Sequence, residues 1–206
     1  MANSDQSPAQ GLPQQPKKLF IQLSGAPGAG KSTMAELLRH PTGSVVLDHD
    51  IIRSALLSGN EIAFQDAAKS AYRLNWALAE SILKQGFSLI IDSTCNYREI
   101  LDRGIELAGR HGCEYWYVEC RVTDIELLDG RLRARTAMRS QRTGVDRAPV
   151  DATATEYRDA RARFMRWVDS PARPGEADGV NSITVDATAN PEERRDEILA
   201  KIFSTQ

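Results

Sequence analysis

Short apolar runs alternate along the chain with longer segments of helical periodicity. Five apolar runs are typical of buried strands: residues 19–24, 44–48, 87–92, 113–120 and 182–186. Apolar positions three and four residues apart predict helices over residues 31–39, 50–57, 62–85, 98–110, 124–137, 152–168 and 191–203. This alternation is typical of an α/β fold, a three-layer sandwich in which helices cover both faces of a parallel sheet.

The segment over residues 62–85 carries the longest helical pattern. Its apolar residues recur at spacings of three and four, which predicts that one face packs against the sheet. That predicted face consists of Ala67, Ala71, Leu74, Leu78 and Ile82. Gly86 follows the pattern and is expected to end the helix.

The helix predicted over residues 124–137 begins with a capping signal. Thr123 precedes it, and Glu126 follows three residues later, which is the spacing of a capping box. We therefore expect Thr123 to be the N-cap of this helix.

Polar residues stand at the ends of the predicted strands. A glycine loop follows Ser24, Asp48 and Asp50 follow the second strand, and Asp92 ends the third. Another loop follows Asp186. Because ligands of parallel sheets bind at the carboxyl ends of the strands, these features are expected to share one rim of the sheet.

Residues 25–33 read GAPGAGKST and match the phosphate-loop pattern G-x-x-x-x-G-K-[ST]. Glycines let backbone amides approach phosphate oxygens at a helix N-terminus. Lys31 can reach the β- and γ-phosphates of a nucleotide, and the Ser32 hydroxyl can ligate Mg²⁺. The expected nucleotide-binding residues are Gly25, Ala26, Pro27, Gly28, Ala29, Gly30, Lys31, Ser32 and Thr33.

Asp92 ends the apolar run LIID. A carboxylate at this place can hold Mg²⁺ through its water shell, so Ser32 and Asp92 form the expected metal site. The alternative is a turn or cap residue, a common role for aspartate at a strand end. The expected cofactors are ATP and Mg²⁺, although the sequence does not show whether ATP is preferred to GTP.

Asp50 and Arg53 follow the second strand, one helical turn apart, in the segment DHDIIR. A kinase needs a base that accepts the proton of the acceptor hydroxyl, and it gains from a cation that positions the acceptor. The alternatives are a helix cap at Asp50 and a structural ion pair between the two side chains.

An arginine-rich stretch follows the fourth strand. On a helix, Arg131, Arg135, Arg139 and Arg142 would form one stripe without an acidic partner within it. Arginines that close over the transferring phosphoryl group would offset its charge. We therefore expect a small helical lid over about residues 134–150, while binding of a nucleic-acid backbone is the competing interpretation.

The amino-acid composition and charge of the chain exclude several functional classes. The net charge is −2, with 26 basic and 28 acidic residues, which argues against a dedicated nucleic-acid binder. The three cysteines lack the spacing of a zinc site. No apolar run has transmembrane length and no secretory signal begins the chain, so we expect a cytoplasmic protein without a membrane partner. Residues 1–16 are expected to be a disordered tail before one domain at residues 17–206.

Taken in order, these motifs resemble the P-loop kinase group. The relevant segments are GAPGAGKST, DHDIIR, LIIDST and LRAR before the arginine-rich lid. More narrowly, the chain resembles the branch with phage polynucleotide 5′-kinase, zeta-toxin kinases and chloramphenicol phosphotransferase, over about residues 19–203. The resemblance implies a P-loop NTPase fold, a five-stranded parallel sheet in the order 2-3-1-4-5.

The same resemblance implies roles for individual residues. Asp50 corresponds to the general base, with Asp48 as a competitor for that role, and Arg53 to the residue that contacts the acceptor. Lys31, Arg131 and Arg135 would be catalytic, although Arg139 or Arg142 could replace one of the lid arginines. Thr188 corresponds to the loop that contacts the nucleotide base.

The sequence favours a kinase that transfers the γ-phosphate of ATP to a hydroxyl group. The acceptor could be a small molecule, such as a sugar, antibiotic or nucleoside, or an oligonucleotide end. Two alternatives stay open: a polynucleotide 5′-hydroxyl kinase of nucleic-acid repair, and a regulatory P-loop ATPase with a protein partner. The sequence leaves the oligomeric state open.

Overall fold

A computed structural model describes residues 17–59, 61–153 and 159–204. The tail predicted over residues 1–16 lies outside the described residues. The strands are β1 (Leu19–Ser24), β2 (Ser44–Asp48), β3 (Ser88–Asp92), β4 (Glu114–Arg121) and β5 (Asn181–Asp186). The helices are α1 (Lys31–Arg39), α2 (His49–Ser58), α3 (Phe64–Lys84), α4 (Arg98–Arg110), α5 (Ile125–Ala134), α6 (Ala160–Asp169) and α7 (Pro191–Ser204).

The five strands form one parallel sheet in the order β2-β3-β1-β4-β5. This confirms the predicted fold class and strand order. Strand β1 is central, and all six of its residues are buried, as expected for a strand covered on both faces. In the register of the sheet Asp48 pairs with Asp92, so two of the polar strand ends are neighbours on one rim.

Side chains of β1 alternate between two hydrophobic clusters on opposite faces of the sheet. Leu19, Ile21 and Leu23 pack into the cluster that includes α1 and α7. Phe20 packs into the cluster that includes α3 and α4. The described part of the chain therefore has the predicted three layers.

The buried face of α3 differs from the predicted one. Leu74 and Leu78 were expected to be buried, but their side chains are 43% and 44% exposed. The buried row continues from Ala71 through Asn75 to Ala79 and then to Leu83. Asn75 can be buried because its amide hydrogen-bonds to His49 of α2, a contact that an apolar pattern does not reveal.

The capping prediction for α5 is wrong by one residue. The N-cap is Asp124, whose Oδ1 accepts a hydrogen bond of 3.0 Å from the backbone amide of Leu127. Aspartate caps at least as well as threonine, so the two adjacent candidates compete and the backbone places Asp124 at the cap. The helix also ends at Ala134 rather than at residue 137.

The arginine-rich segment, defined here as residues 135–151, contains no helix, which corrects the predicted helical lid. Arg139 and Arg142 therefore do not continue a stripe from Arg131. Instead, Arg139 forms an ion pair with Asp151, and the buried Arg142 donates hydrogen bonds to the backbone oxygens of Val145 and Ala160. Asp151 neutralises the charge of Arg139, and the backbone oxygens accept hydrogen bonds from Arg142. On a continuous helix these like charges would instead have repelled each other.

The next helix, α6, begins at Ala160 rather than at residue 152. Part of that expected extension, residues 154–158, lies outside the described residues. Among the helices at residues 17–59, 61–153 and 159–204, none is long and apolar enough to cross a membrane.

Candidate active site

The phosphate loop connects the end of β1 to the start of α1. Gly25, Gly28 and Gly30 have φ values of 129°, 87° and 89°, in the region that favours glycine. A Cβ on Gly25 would lie 2.3 Å from the carbonyl oxygen of Cys120, so only glycine lets the loop lie this close to β4. Gly30 has no side chain to cap α1, and the first amides of the helix suit an anion.

Lys31 lies against the loop that it follows. Its Nζ donates hydrogen bonds to the carbonyl oxygens of Gly25 at 3.0 Å and Ala26 at 3.1 Å. Desolvation by the surrounding protein lowers the pKa of Lys31, while the nearby charges of Asp92 and Asp50 oppose this shift. The ammonium group thus lies within the electrostatic field of both carboxylates.

Ser32 and Asp92, the predicted metal ligands, are neighbours. Asp92 is only 4% exposed. Burial raises its pKa, and the charge of Lys31 and a hydrogen bond from Ser32 act in the opposite direction. A hydroxyl and a carboxylate beside the phosphate loop form a hard oxygen donor set of the kind that suits Mg²⁺.

Asp48, Asp50 and Asp92 form a carboxylate cluster next to this pair. Burial and the charges of the other two carboxylates raise the pKa of Asp48 to about 6. Among the described residues no group of three or more His, Cys, Asp or Glu side chains is placed to hold a metal ion. A magnesium ion here would therefore rely on the Ser32 hydroxyl, water and phosphate oxygens in addition to a carboxylate.

The two candidate bases have different local roles. Asp48 is the N-cap of α2, and its Oδ1 accepts hydrogen bonds from the amides of Asp50 at 2.7 Å and Ile51 at 3.3 Å. The alternative that Asp50 caps this helix is therefore wrong. The Asp50 carboxylate instead lines the cleft that contains Lys31.

Sequence reasoning missed the hydrogen-bond partners of Asp50. Gln141 Nε2 donates to Asp50 Oδ2 at 2.9 Å, and Ser140 Oγ lies 3.3 Å from Asp50 Oδ1. Ser140 also binds Ser54 of α2 through its hydroxyl and its backbone amide. Both residues lie among the arginines of residues 135–151, and no sequence signal pairs them with a residue 90 or 91 positions away.

Arg53 is held by the start of α3. Its Nη2 donates a hydrogen bond of 3.1 Å to the carbonyl oxygen of Phe64, and its guanidinium lies 3.9 Å from the centroid of the Phe64 ring. This cation–π contact and hydrogen bond fix the side chain at the edge of the cleft, one turn from Asp50.

His49, between the two aspartates, packs inward. Its ring stacks on Tyr72 with centroids 4.1 Å apart, and its Nδ1 lies 3.4 Å from Nδ2 of Asn75. Burial lowers the pKa of His49 to about 4, so the ring is neutral at pH 7. This histidine therefore joins α2 to α3 without adding a charge to the site.

The two arginines predicted to be catalytic differ in their contacts. Arg131 connects the phosphate loop to the loop after β5, because it donates to the carbonyl oxygens of Gly28 at 3.4 Å and Ala187 at 3.1 Å. Arg135 donates to the carbonyl oxygen of Arg142 at 2.9 Å. Burial lowers the pKa of Arg135, and the charge of Asp50 opposes that shift, which places its guanidinium in the field of the base.

A cleft of about 1560 Å³ brings these groups together. It is lined by residues 27–33 of the phosphate loop, the carboxylate cluster, Arg53, Arg131 and Arg135. Its volume exceeds that of a typical single small-ligand pocket, so it has room for two ligands. Thr188 is not brought to this cleft: its hydroxyl donates to Asp186, whereas Ala187 and Ala189 line the cleft.

Three solved structures share the fold over most of the chain. A candidate kinase from Chloroflexus aurantiacus has a TM-score of 0.67 at 18% identity, covering 92% of this chain and 98% of that protein. The APS kinase of Mycobacterium tuberculosis, in complex with AMPPNP and APS, has a TM-score of 0.55 at 18% identity, covering 90% and 97%. Shikimate kinase from Acinetobacter baumannii, in complex with shikimate, has a TM-score of 0.53 at 18% identity, covering 92% and 95%. At these identities the likeness shows the fold alone.

A family model described as an AAA domain matches residues 20–159. These residues include the phosphate loop, the carboxylate cluster and both candidate catalytic arginines. No curated protein matches the chain. Because the family model covers well over half of the sequence, the chain belongs to the AAA domain family.

Proposed function

We propose that the protein is a Mg²⁺- and ATP-dependent kinase that transfers the γ-phosphate to a hydroxyl group of a small molecule. The observation that carries this proposal is the position of Asp50. Because Asp48 caps α2, the Asp50 carboxylate is available to line the same cleft as Lys31 and Asp92. A phosphate loop with a carboxylate facing it has the two halves of a phosphoryl-transfer site.

The phosphate loop supports the donor half of this site. Its amides and Lys31 would hold the β- and γ-phosphates at the N-terminus of α1. Arg131 would keep the loop after β5 in place beside the nucleotide. Mg²⁺ bound at Ser32 and Asp92 would supply positive charge to the phosphate oxygens, a role that fits a buried carboxylate whose charge raises the pKa of the neighbouring Asp48.

Asp50 and Arg135 support the transfer step. The acceptor hydroxyl would give its proton to Asp50 as its oxygen attacks the γ-phosphorus. The bond from that phosphorus to the bridging oxygen breaks, and ADP leaves. Arg135, in the field of Asp50 and Lys31, would offset the charge that spreads over the transferring group. Most of the rate enhancement would come from positioning and electrostatic stabilisation.

The named relatives support a kinase without naming its acceptor, because APS kinase and shikimate kinase act on different compounds. The D-x-x-R motif at Asp50 and Arg53 supports a narrower place in the branch of polynucleotide kinase, zeta-toxin kinases and chloramphenicol phosphotransferase. A hydroxyl acceptor is common to these enzymes.

The Asp50→Asn substitution tests the proposal. Acceptor-dependent ADP formation is expected to fall by about 10²–10⁴-fold, the usual contribution of a general base, while nucleotide affinity is kept. ADP release would be measured against pooled hydroxyl metabolites, antibiotics and 5′-hydroxyl oligonucleotides. Asp66→Asn, on the exposed surface of α3, is the matched control.

Three outcomes would contradict the proposal. Full activity of the Asp50→Asn variant with nucleotide bound would remove Asp50 as the base. Transfer restricted to oligonucleotides would indicate an end-repair kinase instead. ADP formation that no hydroxyl compound changes would indicate a regulatory ATPase.

A further inference from the structure

Beyond the phosphate loop, residues of α3 and α6 also line the cleft. Eight residues from these two helices line the cleft, and we call six of them the acceptor wall: Phe64, Lys69, Tyr72, Arg163, Arg166 and Trp167. Asp50 and Arg53 lie in the same cleft, next to the start of α3. An acceptor whose hydroxyl reaches Asp50 would therefore contact the acceptor wall.

The acceptor wall is basic, although the chain as a whole has a net charge of −2. It carries Lys69, Arg163 and Arg166, with Arg53 beside it. Outside the carboxylate cluster, Glu99 is the one carboxylate among the described residues that line the cleft. A concave surface lined by one sign of charge concentrates ligands of the opposite sign.

Several basic residues elsewhere in the described part of the protein pair with carboxylates. Arg133 binds Asp129 and Asp146, and Arg173 binds the buried Glu119. By contrast, Lys69 and Arg166 form no ion pair within the described part of the chain. Both side chains are exposed and line the cleft, so their charges are available to a ligand that enters it.

We infer that the phosphate acceptor is a small hydroxyl compound that itself carries an anionic group, such as a phosphate, sulfate or carboxylate. This inference rests on the proposed kinase function. The hydroxyl lies at Asp50 and is the atom that is phosphorylated. The anionic group makes and breaks no bond. It binds Lys69 and Arg166, and these contacts orient the hydroxyl towards the γ-phosphate.

The test is calorimetric and needs no knowledge of the natural acceptor. The protein is first saturated with Mg²⁺ and a non-hydrolysable ATP analogue, so that the phosphate loop is filled. It is then titrated with three matched pairs: ribose and ribose 5-phosphate, glycerol and glycerol 3-phosphate, glucose and glucose 6-phosphate. The charged member of at least one pair is expected to bind at least about tenfold more tightly than its neutral partner.

Substitutions locate the binding. Lys69→Gln and Arg166→Gln are each expected to lower the affinity for the charged ligand by about threefold to fivefold, as for partly exposed charge pairs. Neither substitution should change the affinity for the ATP analogue. Arg161→Gln, on α6 but outside the cleft lining, is the control and is expected to bind both ligands normally.

Some results would overturn the inference while leaving the kinase proposal intact. One is equal affinity for both members of all three pairs. Another is a loss of affinity for the charged ligand in the Arg161→Gln variant that is as large as in the Arg166→Gln variant. A third such result is binding of a 5′-hydroxyl oligonucleotide to the loaded protein when no sugar phosphate binds. The acceptor would then be a nucleic acid and not a small anionic compound. Failure of the ATP analogue to bind in the first step would instead contradict the proposed function.

Discussion

Asp48 combines two opposing effects in one side chain. As the N-cap of α2 it accepts two amide hydrogen bonds, which stabilises the helix. As the neighbour of Asp92 and Asp50 it places a third negative charge in a half-buried cluster, which destabilises the fold whenever all three are ionised. Without a bound cation, this cluster of negative charges lowers the stability of the fold. The same charges would favour the binding of a divalent cation.

The Asp48→Asn substitution separates these two effects, because asparagine caps a helix as well as aspartate but has no charge. The pKa of Asp48 is raised from 3.8 to about 6, so its ionisation removes stability as the pH rises from about 4 to above 6. The variant is therefore expected to match the wild type near pH 4. At pH 8 it is expected to be more stable by about 1 kcal/mol, after allowance for partial exposure.

Urea unfolding between pH 4 and pH 8 measures this difference. Asp124→Asn is the control, since it makes the same change at the N-cap of α5, away from the cluster. A stability gain for Asp48→Asn that is the same at every pH would show that capping, and not charge, is responsible.

At the scale of elements, the arginine-rich segment is attached to α2 by polar contacts. Ser140 binds Ser54 and Gln141 binds Asp50, so the segment that carries Arg135 also holds the proposed base. A change in the position of this segment would move the arginine and reorient the carboxylate together.

The Gln141→Leu substitution removes the donor to Asp50 while keeping a side chain of similar size. We expect the acceptor-dependent rate to fall by about tenfold, the cost of losing one hydrogen bond to a charged group, with the affinity for ATP unchanged. Steady-state rates and nucleotide titrations would be compared with those of Arg147→Leu, an exposed change in the same segment. An equal loss in both variants would mean that the segment acts through its fold alone.

Helix α4 approaches β1 at a glycine. A Cβ on Gly104 would lie 2.1 Å from Oε1 of Gln22, a fully buried side chain that also accepts a hydrogen bond from Tyr115. Gln22 therefore has little freedom to move, and the glycine sets the distance between helix and sheet.

Gly104→Ala is expected to lower the free energy of unfolding by about 1–3 kcal/mol, because the strain of overpacking exceeds the gain in helix propensity. Gly109→Ala, in the last turn of the same helix with no atom within 4 Å of the added Cβ, should raise it by up to about 1 kcal/mol. Urea unfolding of both variants provides the comparison, and the same sign of change in both would contradict the proposed contact.

At the scale of the whole molecule, the cleft joins elements that are distant in the chain. The phosphate loop, the ends of β2 and β3, the arginine-rich segment and α6 all contribute to it. A ligand that binds these elements together stabilises the folded state by mass action.

ATP with Mg²⁺ at a concentration of 100 times its Kd is expected to stabilise the protein by about 2.7 kcal/mol. The rise in Tm should be about 5–10 °C for a chain of this size. Asp92→Asn is expected to abolish the part of this rise that requires Mg²⁺, while the surface change Asp102→Asn keeps it. Thermal unfolding with ATP, in the presence and absence of Mg²⁺, measures this change in Tm. A Mg²⁺-dependent rise in Tm that persists in the Asp92→Asn variant would argue against Asp92 as a ligand of Mg²⁺.

The sequence predicted most of the local structure because short-range patterns encode it. The apolar runs fixed all five strands to within one residue, and the motif GAPGAGKST located the phosphate loop. Helix boundaries were less predictable where polar residues compete for the same local role, as Thr123 and Asp124 do at the start of α5.

The sequence by itself determined the alternation of strands and helices, the phosphate loop and the residues at the strand ends, since each follows from neighbours in the chain. Only the tertiary structure decided that Asp48 caps α2, that Gln141 binds Asp50 and that Asn75 is buried against His49. Those outcomes depend on contacts between elements that are distant in the chain or on the backbone angle at one residue. A pattern of apolar and polar residues carries no information about which hydrogen-bond partner a buried polar group will find.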